Sequence, residues 1–352
     1  MHDTSLLQIT PARRINNDTT IAIWLFTCCL TIFAMVVLGG VTRLTGSGLS
    51  MVTWEPIMGT LPPLTPNQWQ EAFILYQQFP EFQLKNFDMD LAGFKRIFWF
   101  EYAHRLLGRA IGLVFFIPLI YFLIKRIIPS SLIRPLLIIL ALGALQGLMG
   151  WYMVQSGLID DPHVSQYRLT AHLGLAFLIY ACIFWLALNI LFPRQQRLTS
   201  SPRLKRHALA TTVLISITVL SGGFVAGLKA GFIYNTFPLM GDRLLPEGLL
   251  ALSPLWRNVF ENAVTVQFDH RVMAAAVTIF VITLWVSAGK TALSNRGKIG
   301  IKLLLFTLVL QITLGISTLL LEVPVALAAA HQGGALLLFS CTLFFTHAVY
   351  ND

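Results

Sequence analysis

Several uninterrupted apolar runs in this chain reach about 20 residues, the length at which a helix rising ~1.5 Å per residue crosses a ~30 Å hydrocarbon core. Lipid offers no partners to backbone N–H and C=O groups, so only helices and closed barrels span it. A barrel needs short segments of alternating polarity, and none occurs here. With 56% hydrophobic and 12% charged residues among 352, too little polar surface remains for a soluble domain of this size. The expected fold is an all-α integral membrane protein with eight transmembrane helices at roughly 21–41, 98–124, 132–155, 168–192, 208–228, 264–288, 300–321 and 326–348.

The formal net charge of +9 raises the question of nucleic acid, but the distribution answers it. Arg13, Arg14, Lys125, Arg126, Arg194, Arg197, Arg203, Lys205, Arg206, Lys290, Arg296 and Lys298 all fall between spans on one side, as cationic loops do at a cytoplasmic face. An even number of crossings then places both termini in the cytoplasm. The first run has no small-residue cleavage site after it and reads as a retained helix. Two long loops face the other side, at about 42–97, with an amphipathic piece near Asn67–Phe79, and at about 229–262. Cys28, Cys29, Cys182 and Cys341 lie inside spans, so no disulfide framework is implied.

The halves echo each other in order. Gly39-Gly40 matches Gly222-Gly223; Trp54-Glu55-Pro56-Ile57-Met58-Gly59 matches Phe237-Pro238-Leu239-Met240-Gly241; and Glu101-Tyr102-Ala103-His104-Arg105 matches Gln267-Phe268-Asp269-His270-Arg271. Leu145-Gln146 matches Leu310-Gln311, and Ala171-His172 matches Ala330-His331. Four helices per repeat let both halves enter from one side, related by a pseudo-two-fold axis along the membrane normal. The expectation is two pseudo-symmetric four-helix bundles, 21–192 and 208–352, after a cytoplasmic segment 1–20 and joined by a basic linker 193–207.

Of eight histidines, His104, His172, His270 and His331 sit at matched places near the outer ends of alternate spans. A polar ring in hydrocarbon marks function by default, and two imidazoles per bundle at similar depth suit the two faces of one haem iron. The residue one turn on, sharing the ligand's face, is small in every case: Gly108, Ala176, Ala274 and Ala335, with Gly112 continuing the surface. Interhelical hydrogen bonding is the plainer alternative, and close helix packing also selects small residues. Zinc or copper would add clustered cysteine or carboxylate ligands, which are missing. His2, His163, His207 and His347 read as solvated or interfacial.

Glu101 stands on the same helical face as His104, whereas Gln267 fills that place before His270. This asymmetry makes the N-terminal site the candidate for chemistry, with a simple Glu101–Arg105 ion pair as the plainer account. Arg43, Arg105, Arg168 and Arg271 at the outer ends are candidates to meet haem propionates, or else lipid headgroups. Trp54, Pro56, Phe237 and Pro238 are expected to pack over the haems.

The segments Gly39-Gly40-Val41-Thr42-Arg43-Leu44-Thr45-Gly46-Ser47-Gly48-Leu49-Ser50, Glu101-Tyr102-Ala103-His104-Arg105 with Leu107-Gly108-Arg109, and Ala330-His331-Gln332 resemble those of the haem A synthase family. The resemblance implies oxidation of the C8 methyl of haem O to a formyl group, giving haem A for the terminal cytochrome oxidase. It assigns His104, His172 and Glu101 to the haem O substrate, and His270 and His331 to a haem b cofactor that passes electrons. It also implies haem O synthase and cytochrome oxidase assembly as partners, and leaves a homo-oligomer open. Some members carry a cysteine pair in an outer loop; its absence here resembles the proteobacterial and mitochondrial branch. The short N-terminus, lacking an arginine- and serine-rich leader, points to a bacterial inner membrane. Two other readings compete: a di-haem b-type cytochrome working between quinol and a partner, and a transporter with parallel repeats. The cytochrome has no use for Glu101, and the transporter predicts broken helices at mid-membrane.

Overall fold

The computed structural model describes residues 11–53, 58–159, 162–193 and 201–351, with side chains from residue 17 onward and excepting Met58. Its helices in chain order are α1 (Pro11–Leu44), α2 (Pro66–Gln77), α3 (Pro80–Leu84), α4 (Leu91–Ile124), α5 (Ser130–Gln155) and α6 (Gln166–Leu191), then α7 (Pro202–Gly227), α8 (Asn258–Glu261), α9 (Ala263–Gly289), α10 (Asn295–Leu320) and α11 (Val325–Asn351). Among the described residues, eight helices are long and apolar enough to cross a membrane, and no strand forms. Every expected span is found. The helices overrun the apolar runs because polar caps, not hydropathy, end them: Asp90 accepts from Gly93 N at 2.7 Å and starts α4 well before the run at 98. Ser201 likewise accepts from Leu204 N and, with Pro202 at the first position, starts α7 inside the expected 193–207 linker.

The helix neighbours correspond between the halves. α1 packs on α4 and α6 as α7 packs on α9 and α11; α5 lies on α6 as α10 lies on α11. Across the middle, α1 meets α11, α6 meets α7, and α6 meets α11, which puts α1, α6, α7 and α11 inside and the other four long helices outside. Lipid is as apolar as leucine, so close approach and interhelical polar contacts must hold this arrangement. A Cβ on Gly223 would sit 2.8 Å from Thr170 Oγ1, and one on Gly300 would sit 3.2 Å from the Phe345 backbone. Thr212 Oγ1 lies 3.2 and 3.0 Å from the hydroxyls of Thr342 and Thr346, and Tyr180 and Ser340 share a hydrogen bond at 2.8 Å.

Both long loops sit at the end where α1 and α7 finish and α4 and α9 begin. The expected amphipathic piece is α2, opened by a reciprocal cap between Thr65 and Gln68. Its Trp69, Phe73 and Tyr76 pack against Phe94, Phe98 and Tyr102 of α4, so the first turns of α4 serve as the floor of the loop. Tyr102 adds a hydrogen bond to the Thr60 carbonyl at 2.7 Å.

Candidate functional site

The four matched histidines all face inward at the long-loop end. His104 on α4 lies within electrostatic range of His172 on α6, and His270 on α9 within range of His331 on α11. Each ring is backed by a glycine on a neighbouring helix. A Cβ on Gly39 of α1 would lie 3.1 Å from His104 Nε2; on Gly150 of α5, 3.1 Å from His172 Cε1; on Gly222 of α7, 3.2 Å from His270 Cε1; and on Gly315 of α10, 2.8 Å from His331 Cε1. Those glycines are themselves matched between halves. The small residues one turn after the histidines behave differently: a Cβ on Gly108 would meet Met35 Cε at 3.0 Å, while Gly112 borders open space.

Glutamine completes the parallel. Gln146 Nε2 donates to the His172 carbonyl at 3.1 Å, and Gln311 Nε2 donates to the His331 carbonyl at 3.0 Å. Each glutamine stands four positions before its glycine, so α5 and α10 grip the histidine backbone and back its ring with one face.

Arg105 donates to the carbonyls of Met51 and Thr53 at 2.6 and 2.9 Å, and Arg271 donates to those of Tyr234, Thr236 and Leu239 at 2.9, 2.9 and 3.2 Å. Both arginines therefore tie a long loop down beside the adjacent histidine. Arg168 donates to the Tyr152 carbonyl at 2.8 Å with its guanidinium 3.7 Å from the centroid of that tyrosine's ring, and Arg43 is half-buried in the last turn of α1. Trp54 and Pro56 lie outside the described residues, and Phe237 is exposed.

Glu101 is 2% exposed and receives three donors. Ser50 Oγ and Met51 N donate to Oε2 at 2.8 and 2.7 Å, and Arg105 donates to Oε1 at 2.6 Å. The ion pair expected from the i,i+4 spacing is present, but it is one part of a larger anchorage. Gln267 instead donates to the Tyr234 carbonyl at 3.0 Å, with its own buried oxygen left without a partner. The halves thus differ in charge at one place where their scaffolds agree.

Sequence reasoning misplaced His347. Because α11 continues to Asn351, this ring is fully buried rather than interfacial, 3.0 Å from Asn189 Oδ1 and edge-on to Trp185. His207 also differs, standing on α7 and not in a loop; His163 is half-buried in the loop before α6.

Among the described residues no three histidine, cysteine, aspartate or glutamate side chains group as a metal cage. Paired imidazoles suit a metal that brings its own equatorial ligands, as a porphyrin iron does. The buried Nδ1 atoms of His172 and His331 lack a hydrogen-bond partner, so each pair keeps one ring nitrogen unengaged. The donor set fits haem.

A sequence profile of cytochrome oxidase assembly proteins, COX15-CtaA, matches residues 22–343. The chain is 56% identical to a haem A synthase of Nitrosospira multiformis over 329 residues, 93% of this chain and 92% of that one. It is 53% identical to a haem A synthase of Nitrosomonas eutropha, covering 93% of each, and 48% identical to the haem A synthase COX15 of Bos taurus, covering 91% of this chain and 80% of the bovine one. A profile spanning nearly all of the eight-helix core, with these identities, makes the chain a member of the COX15-CtaA family of cytochrome oxidase assembly proteins.

Proposed function

We propose that this chain is a haem A synthase of a bacterial inner membrane, an oxidoreductase that converts haem O to haem A for cytochrome oxidase. The observation that carries the reading is the Glu101/Gln267 difference between two otherwise matched histidine pairs. One half has an anchored carboxylate a turn from its histidine, and the other has a neutral amide. In this reading 21–192 and 208–352 form two bundles about a pseudo-two-fold axis, supported by the corresponding helix neighbours and by the matched glycines and glutamines.

His104 and His172 hold the substrate haem O, and His270 and His331 hold haem b. Haem b, when bound, supplies a one-electron relay. With water supplying the oxygen, oxidising a methyl to a formyl group releases protons and electrons in equal number; the electrons leave to an external acceptor, and Glu101 is placed to accept a proton at its carboxylate oxygens. Ser50, Met51 and Arg105 fix where those oxygens sit, so the acceptor needs no rearrangement. Arg43, Arg105, Arg168 and Arg271 stand at the end where propionates would emerge, and guanidinium groups have donors to spare beyond the carbonyls they serve. Haem O synthase is the partner expected to deliver substrate, both termini face the cytoplasm, and self-association is compatible with the exposed outer helices.

Extracting the haems of purified protein, produced with and without haem O synthase, tests the function. Haem A and partly oxidised haem O should appear only when the synthase is present. Haem B alone under both conditions would replace this reading with the di-haem cytochrome.

A further inference from the structure

The residue before each ring-backing glycine differs between the halves: Leu38 precedes Gly39, and Ser221 precedes Gly222. Ser221 Oγ lies 2.7 Å from His270 Nδ1 and donates to the Thr218 carbonyl at 2.8 Å. With the serine proton on the Thr218 carbonyl the serine oxygen accepts from His270 Nδ1–H, and the Thr218 carbonyl, which also reaches the ring, can itself only accept. The hydrogen-bond network thereby assigns the tautomer, and Nε2 keeps the lone pair that a metal needs. Nothing comparable holds the other side. Leucine offers no polar atom, and no described residue hydrogen-bonds the His104 ring. Its partner is engaged elsewhere, because Gln146 Nε2 lies 3.3 Å from His172 Nε2, a contact that Gln311 does not repeat on His331 among the described residues.

We propose that Ser221 is a positioning residue that locks His270 for lasting iron ligation, and that Leu38 at the matched place leaves His104 unheld, so that the C-terminal half retains its haem while the N-terminal half exchanges it. A cofactor must stay through many turnovers, and a product must leave. Hydrogen bonds that orient an imidazole ligand are typically worth about 10–100-fold in metal affinity, enough to separate a resident haem from a passing one. The inference rests on the haem assignment above.

The test follows haem loss from the intact purified protein to an excess of apomyoglobin, resolving haem b from haem O and haem A by extraction, together with electron paramagnetic resonance of the ferric sites. Ser221→Ala should release haem b about 10-fold faster or more and shift its g-values, while Ser221→Thr, which keeps the hydroxyl, should behave as the parent. Leu38→Ser should slow loss from the N-terminal half. Parental release and g-values in Ser221→Ala, equal defects in the alanine and threonine variants, or unchanged N-terminal release in Leu38→Ser would each overturn the proposal. His270→Ala separates the two claims: loss of haem b there leaves the haem assignment standing whatever Ser221 does, and full retention overturns that assignment itself.

Discussion

At the residue scale, the most exacting contacts are those between imidazole and glycine. A methyl group on Gly315 would come within 2.8 Å of His331 Cε1, closer than real side chains tolerate, so the imidazole would have to move. Gly315→Ala should therefore lower haem b content and broaden its spectrum, whereas Gly143→Ala, bordering open space on α5, should leave both unchanged. Equal haem content in the two variants would show that the ring tolerates displacement. Glu101→Gln keeps the size and loses the acceptor charge, so the variant should bind haem and yield no haem A on extraction; a normal yield would remove its role. The histidines and Glu101 were legible in the sequence because a polar side chain in an apolar run announces itself. Gly39, Gly150, Gly222 and Gly315 were not, since each is defined by a neighbour on another helix. Their only sequence signal was that they recur in order between the halves. His347 was misread for a related reason: a histidine five residues from the end looks terminal until α11 is seen to enclose it.

At the element scale, α2 and α3 pack with the start of α4 around a small core that includes an acid. Glu81 is 6% exposed and accepts from the Tyr76 hydroxyl at 3.2 Å, while Asn86 Nδ2 donates to that hydroxyl at 2.7 Å. Burial pushes the Glu81 carboxyl from 4.5 up to about 7, and burial likewise raises the Tyr76 phenol. The folded loop thus binds a proton that the unfolded chain gives up near 4.5, so this stabilisation is complete below that value and is lost as pH rises through about 7. Hydrogen exchange across 66–84, corrected for intrinsic rates, should accelerate between about pH 4.5 and 7 in the parent, level off above that, and stay flat throughout in Glu81→Gln. A parental profile in that variant would assign the pH response elsewhere. The amphipathic pattern of Asn67–Phe79 foretold α2. It could not foretell what α2 rests on, because the aromatic floor of Phe94, Phe98 and Tyr102 lies where apolar span and loop platform look alike in composition.

For the whole molecule, eight long helices were legible because hydrocarbon thickness sets their length. Which four would be inside was not legible, since all eight are similarly apolar and the choice lies in matched surfaces such as Gly223 against Thr170. The basic loops predict a cytoplasmic face. Cysteines introduced at Asp88 and Asp242 in a chain stripped of its native thiols should react with an impermeant maleimide from outside spheroplasts, and one at Ser294 only after lysis. The reverse pattern would invert the topology. The central claim is that each half grips one porphyrin between imidazoles of alternate helices. A cryo-electron microscopy map of protein purified from cells making haem O should show density for one macrocycle between His104 and His172 and another between His270 and His331. Histidine pairs turned away from such density, or a porphyrin found outside either pair, would contradict it.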